Sequence, residues 1–278
     1  MNKDFSLKTI RGNILNITAD GLENINSGTC LIFVHGFKGF KDWGFFPYVS
    51  KYFSEKGFFV LTFNFSHNGI GLDKNEFSEI VRFAQNTVSL EISELNDLIN
   101  AYYDRFFGKD ISGKVVLIGH SRGGAVSLLS SLLNQNPVAY IIWASVAYLD
   151  RYTERQKIEW RNKGFVEITN SRTNQIMRLG LELLDDVDKN KESSLNIERA
   201  VKNLGKPLLI VHGEEDLTVP ISEADTIFNW SNKEKSELVK IMNTGHTFGI
   251  IHPFDGSTNA FDTVVKETER FISEIFNN

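Results

Sequence analysis

Short apolar runs constrain the fold of this chain more tightly than any other feature of its sequence. They are Cys30-Leu31-Ile32-Phe33-Val34, Phe58 to Phe65, Val115 to Ile118, Tyr140 to Ala144 and Leu208 to Val211. Each is strand-length and rich in β-branched or aromatic residues. Continuous runs of this kind suit strands buried on both faces of a sheet. Helical spacing fills the gaps between them. Phe46, Val49 and Phe53 lie on one face, with Gly57 as the stop. Val88, Ile92, Leu95 and Ile99 define a helix over roughly 87–106, and Val126, Leu129 and Leu133 should face the sheet from the next. A helix over roughly 222–232, a last strand at Leu238 to Ile241 and a final helix carrying Val264, Phe271 and Ile275 follow. Strands alternating with helices predict an α/β fold, a mostly parallel sheet covered on both sides. Before it, two alternating stretches around Arg11-Gly12 read as a β-hairpin.

Composition breaks this rhythm once. Residues 150–203 contain 21 charged residues out of 54, against 23% for the whole chain. Such a segment cannot be sheet core. With no flexible linker at either side, it reads as a cap inserted into a core formed by 1–149 and 204–278. An amphipathic stripe is expected at Ile176, Leu179 and Leu183, with short strand-like pieces around Asn170-Ser171. The cap shows no strongly apolar character, so it should admit polar substrates as well as small aryl esters.

The chemistry gathers where the strands end. The run at Val115 stops in Gly119-His120-Ser121-Arg122-Gly123-Gly124. Gly-x-Ser-x-Gly between a strand and a helix lifts a serine off the sheet, and the helix N-terminus then faces any negative charge that develops beside it. Ser121 is the candidate nucleophile, with Gly119 and Gly123 leaving room for the turn. Other strands end in His35-Gly36-Phe37, in His212-Gly213-Glu214-Glu215-Asp216 and before Gly245-His246. Ligands of such sheets bind beyond the carboxyl ends of the strands, so these clusters should converge. His246 is the expected general base, with His252 as the alternative. Asp216 is the expected carboxylate partner, with Asp150 as the alternative and Glu214 and Glu215 as solvated charge. The backbone N–H groups of Phe37 and Arg122 should hold a tetrahedral oxyanion. The Arg122 side chain should pair with a carboxylate. His35 and His120 should support the backbone around the elbow. Phe40, Trp43 and His67 could touch substrate, although ordinary core packing explains the two aromatics equally well.

These four motifs resemble those of the α/β-hydrolase superfamily over residues of about 30 to 275. His35-Gly36-Phe37 is similar to its oxyanion loop, the Ser121 segment to its nucleophile elbow, His212-Gly213-x-x-Asp216-x-x-Val219-Pro220 to its acid loop and Gly245-His246 to its base loop. Within it the chain is most similar to dienelactone-hydrolase-like and cinnamoyl-esterase-like enzymes. The resemblance implies an α/β-hydrolase fold with a small inserted cap and a Ser-Asp-His triad.

The expected reaction is therefore hydrolysis of a small carboxylic ester. The same triad would also serve an amide, a short peptide or a thioester. A third possibility is a binding protein of the same fold that has lost catalysis. A net charge of -5 with mixed signs argues against nucleic acid. No His-x-x-x-His pair or phosphate-cradling glycine loop is present, so neither metal nor cofactor is expected. The single cysteine, Cys30, should lie in a buried strand and fits a reducing compartment. With no signal-like N-terminus and no long apolar span, no membrane association is expected; the expected location is cytoplasmic and the expected state a monomer or homodimer.

Overall fold

The computed structural model describes residues 2–71, 76–170 and 175–277. An eight-stranded sheet runs through its centre. Its order is β1 (Asn2–Lys8), β2 (Ile14–Asp20), β4 (Phe59–Asn64), β3 (Cys30–Val34), β5 (Val115–His120), β6 (Ala139–Trp143), β9 (Leu208–Gly213) and β10 (Ser236–Ile241). The N-terminal hairpin pairs antiparallel with β4, and every pairing from β4 to β10 is parallel. The hairpin turn closes through the Asn13 carbonyl, which accepts from the Thr9 N–H at 2.8 Å.

Period-two alternation in the central strands splits the apolar residues between two cores. Cys30, Ile32, Leu117, Ile142 and Ile210 face one core, and Leu31, Phe33, Ile118, Ile141 and Val211 face the other. The first is covered by α3 (Val88–Tyr103), α4 (Arg122–Ser130), α7 (Ile197–Lys202) and α8 (Ile221–Trp230). The second is covered by α1 (Phe46–Glu55) and α9 (Asn259–Asn277). Burial also pushes the Cys30 thiol up from its ordinary range. No helix among the described residues is long and apolar enough to cross a membrane.

Leu133 departs from the expected pattern. α4 ends at Ser130, and Leu133 lies beyond it, largely exposed. All of Gly123 to Ser130 is buried, because α3 and α7 pack over the helix while the sheet lies beneath it. Leu128 and Leu129 supply the burial instead.

Between β6 and β9 lie α5 (Glu154–Lys163), β7 (Phe165–Asn170), β8 (Gln175–Gly180), α6 (Leu181–Asn190) and α7. β7 and β8 form a separate antiparallel pair. Strand-like pieces were expected around Asn170-Ser171; Ser171 itself lies outside the described residues. α5 begins with a Thr153–Gln156 capping box and stops at Gly164, whose φ is 80°. The expected stripe of Ile176, Leu179 and Leu183 does not exist as one helical face. β8 alternates, burying Met177 and Leu179 and exposing Ile176, and α6 then buries Leu183, Leu184 and Val187. Lys157 binds Asp150 at 2.7 Å and Asp188 at 3.3 Å, and Arg161 binds Asp188 at 2.7 Å, so the charges tie α5 to α6. α7 packs on α4 and α8 over the sheet.

Candidate active site

Ser121 occupies a backbone conformation that serine avoids, with φ 57° and ψ −127°. Such a residue costs on the order of 1–3 kcal/mol and persists only where its surroundings hold it. Here its N–H donates to the Trp143 carbonyl at 2.8 Å, and its carbonyl accepts from the Gly124 N–H at 3.0 Å. The turn is possible because two neighbours lack side chains. A Cβ on Gly119 would overlap the Gly123 carbonyl, and a Cβ on Gly123 would overlap the Val34 and His35 carbonyls. α4 starts at Arg122, so its N-terminal dipole lies beside the hydroxyl.

The segment after β3 is pressed against this elbow. A Cβ on Gly36 would sit 2.8 Å from the Ser121 Cβ and 3.2 Å from the Arg122 nitrogen. Gly36 and Phe37 therefore flank the same point as Ser121 and Arg122. His35 fixes that segment from below. Its Nδ1 donates to the Gly36 carbonyl at 2.9 Å, and its Nε2 accepts from the Phe65 N–H at 3.3 Å. Burial, aided by the Arg122 charge and opposed by the Gly36 bond, brings its pKa down to about 4.

The loops after β9 and β10 bring up the expected acid and base, Asp216 and His246. The Asp216 carboxylate is fully buried, and its Oδ1 accepts from the backbone N–H groups of Thr218 at 2.8 Å and Val219 at 2.9 Å. Its Oδ2 accepts from His246 Nδ1 at 2.7 Å and lies 3.3 Å from His212 Nε2, which also donates to the Val219 carbonyl at 2.8 Å. Burial alone would raise this carboxyl. The bonds from His212, His246 and the Val219 N–H outweigh it and hold the group well below the usual carboxylate range. With Nδ1 donating to Asp216, the His246 Nε2 lone pair is left free to accept a proton. His120 sits under His246, donating from Nε2 to the His246 carbonyl at 2.9 Å. Burial and the neighbouring His246 lower the His120 pKa to about 3, so it stays neutral.

The alternatives lie elsewhere. His252 accepts from the Gly44 N–H at 3.0 Å and packs against Phe40 and Trp43. Asp150 is held by Lys157 and Lys191, both within 2.8 Å.

Between the elbow and the cap lies a cavity of about 180 Å³ with Ser121 in its wall. Phe37 and Val219 line it from the loops, Val88 from α3, and Trp160, Leu183, Leu184 and Val187 from the cap. Its three charged residues are matched by partners: Arg122 to Glu91 at 2.6 Å, Arg151 to Glu223 at 2.8 Å, and Asp150 to the two lysines. A cap with an amphipathic stripe but no strongly apolar character was expected; the face that it turns to the cavity is apolar, and of the expected stripe Leu183 lines the cavity. The cap's charges pair with one another while α6 turns leucine and valine inward. Phe40, Trp43 and His67, named as possible substrate contacts, are not among the residues lining this cavity. Phe40 is buried against Phe77 and His252, Trp43 packs on Phe45, and His67 Nδ1 lies 2.6 Å from the Ser66 hydroxyl. Several lining residues were missed by sequence reasoning, Trp160, Tyr148 and Tyr152 among them; two others, Leu184 and Val187, carried a signal, since with Leu183 they keep helical spacing inside a charged stretch.

A family model described as the alpha/beta hydrolase family matches residues 31–257. A protein of Mycoplasma genitalium provisionally named esterase/lipase 2 is 25% identical over 260 residues, covering 85% of this chain and 87% of its own length. Among solved structures, Est1E of Butyrivibrio proteoclasticus, determined with ferulic acid bound, is similar with a TM-score of 0.76 and 18% identity, over 99% of this chain and 100% of that one. The alpha/beta hydrolase GrgF of Penicillium sp. sh18 is similar with a TM-score of 0.74 and 18% identity, over 99% of this chain and 98% of that one. At these identities the two structural likenesses speak for the fold.

Proposed function

The chain belongs to the alpha/beta hydrolase family, and within it we propose a serine hydrolase that cleaves a small, neutral carboxylic ester. The observation that carries this reading is the Asp216–His246 bond of 2.7 Å, with the carboxylate pinned by two backbone N–H groups, at the sheet end that also carries the strained Ser121.

His246 Nε2 takes the Ser121 proton as Oγ attacks the ester carbonyl. The oxyanion forms between the N–H groups of Phe37 and Arg122, each worth about 3 kcal/mol in such a site. Collapse breaks the bond to the alcohol oxygen, and the imidazolium returns its proton to that leaving group. Water activated by the same imidazole then releases the acid and restores the serine. Asp216 keeps the Nδ1–H tautomer and stabilises the transient cation without accepting the proton.

The cavity supports a choice of acyl group. An apolar cavity of about 150 Å³ takes benzene, so the 180 Å³ here suits one aryl ring or roughly a six- to eight-carbon chain. Its matched charges give an acyl carboxylate or ammonium no free partner. The test is a series of p-nitrophenyl esters from acetate to decanoate, with methyl ferulate and an aminoacyl anilide, for wild type and Ser121→Ala. Activity that peaks within the medium-chain or aryl esters and vanishes in Ser121→Ala is expected. Turnover of the anilide alone would move the protein to the amidases. Failure of Ser121 to react with an alkyl phosphonate would overturn the enzymatic reading.

A further inference from the structure

We infer that the Arg122 side chain is a positioning residue that fixes the two oxyanion donors relative to each other. The inference rests on the serine-hydrolase reading above. One donor is the N–H of Arg122 itself. The other belongs to Phe37, in a loop without regular secondary structure, between Gly36 and Lys38, whose φ is 56°. The Gly39 N–H closes the turn on the Gly36 carbonyl at 3.0 Å and His35 holds the segment from below. The Phe37 side chain adds the one constraint that ties this turn to the start of α4.

The Arg122 guanidinium carbon lies 4.6 Å from the centre of the Phe37 ring, and the same ring stacks on Phe83 at 5.6 Å with 26° between the planes. The guanidinium is itself anchored. Its Nη2 donates to Glu91 Oε1 at 2.6 Å, and Asn86 Nδ2 donates to that same oxygen at 2.7 Å. Glu91 belongs to α3, is almost fully buried and cannot follow the loop. One side chain therefore links the start of α4, the fixed wall of α3 and the oxyanion loop. Because Glu91 matches its charge, the guanidinium offers substrate no net charge. A planar cation suits this duty, since it stacks on a ring with its face while bonding a carboxylate at its edge; an ammonium can do the second but not the first.

Arg122→Lys separates placement from ion pairing, because lysine keeps a cation for Glu91 and loses the planar face. We expect kcat on the best p-nitrophenyl ester to fall about tenfold with KM within twofold, since a displaced donor costs less than the roughly hundredfold of a deleted one. The affinity for phenylboronic acid, which forms a tetrahedral adduct on the serine, should weaken by a similar factor, with the melting temperature nearly unchanged. Phe37→Leu should lower kcat by a similar factor and add little in the Arg122→Lys background, because both remove the same contact. The paired variant Glu91→Gln with Arg122→Met removes the ion pair without stranding a buried charge and should lose kcat as Arg122→Lys does. Wild-type kcat and boronate affinity in both Arg122→Lys and the paired variant would overturn the inference. So would a loss confined to KM. Wild type that fails to bind boronate at Ser121 would overturn the hydrolase reading and this inference with it.

Discussion

Asp216→Asn gives the sharpest test of the site, because the structure fixes which way the new amide must face. Oδ1 of Asp216 accepts two backbone N–H groups, from Thr218 and Val219, at 2.8 and 2.9 Å. Asparagine must keep its oxygen there. Turning the NH2 group toward those donors would strand both, at about 1–3 kcal/mol each. The NH2 therefore takes the place of Oδ2, facing His246 Nδ1 and His212 Nε2. An N–H now meets Nδ1, which must become the acceptor, so the His246 proton moves to Nε2. The imidazole then holds its proton on the side that should receive one from Ser121. A wrong tautomer of this kind costs about 10⁴ in kcat, close to 5.5 kcal/mol in the barrier. The assay is kcat on p-nitrophenyl hexanoate together with the melting temperature. We expect the rate to collapse while the fold holds. Asp216→Asn within tenfold of wild type would refute both the tautomer argument and the role of Asp216.

Other consequences follow from packing and charge. His35 and His120 have folded pKa values near 4 and 3, below the ordinary 6.5, so they stay neutral when folded but take up protons when unfolded. Stability should therefore fall as pH drops below 6.5 and keep falling toward those values, by about 2 kcal/mol per histidine at pH 5; urea unfolding at pH 7 and pH 5 measures it, and equal stabilities would refute it. Gly123→Ala sets a Cβ against the backbone carbonyls of Val34 and His35, and Gly124→Ala sets one 2.7 Å from the Ser145 Cβ, which no rotation of that side chain clears. Each should cost about 1–3 kcal/mol; thermal unfolding of the two variants measures it, and wild-type stability in either would refute the packing argument. Leu184→Ala enlarges the cavity from the α6 side and should move the preferred acyl chain up by roughly two or three carbons, at a cost of about 3 kcal/mol in stability. An unchanged chain-length profile would show that the acyl group does not occupy that space.

The sheet was legible because its strands are buried on both faces. Cys30 to Val34 has no polar residue to confuse period two with period 3.6, and the strand runs over those five residues. The elbow was legible because close backbone approach admits only glycine at Gly119 and Gly123. The hairpin showed itself by alternation, as Leu15, Ile17 and Ala19 point inward between outward polar residues. The cap was harder. Its charge count averages over two faces, which hides the inward Leu183, Leu184 and Val187, and β8 joins α6 at Gly180 without a loop, so one period passes into another. Helical spacing applied across that junction merged Ile176 with residues it never meets. Phe40 and Trp43 stayed open between core packing and substrate contact for a different reason. Sequence adjacency to an oxyanion loop does not say whether a ring packs inward or lines a cavity, and both found partners around His252.

The paired charges around the cavity also bear on how fast and under what conditions a substrate arrives. Arg122, Arg151 and Asp150 each spend their field on a neighbour within 3 Å. The three charged side chains that line the cavity are thus paired and give a charged molecule no free partner to aim for. Encounter with a small molecule then proceeds by unaided diffusion, whose ceiling is about 10⁸–10⁹ M⁻¹s⁻¹. Raising ionic strength, which screens over about 10 Å at 0.1 M, has little to screen here. On the proposed ester reading, what selects one ester over another is how much each prefers an oily space to water, a quantity that rises by about 0.8 kcal/mol with every added methylene until the cavity is full.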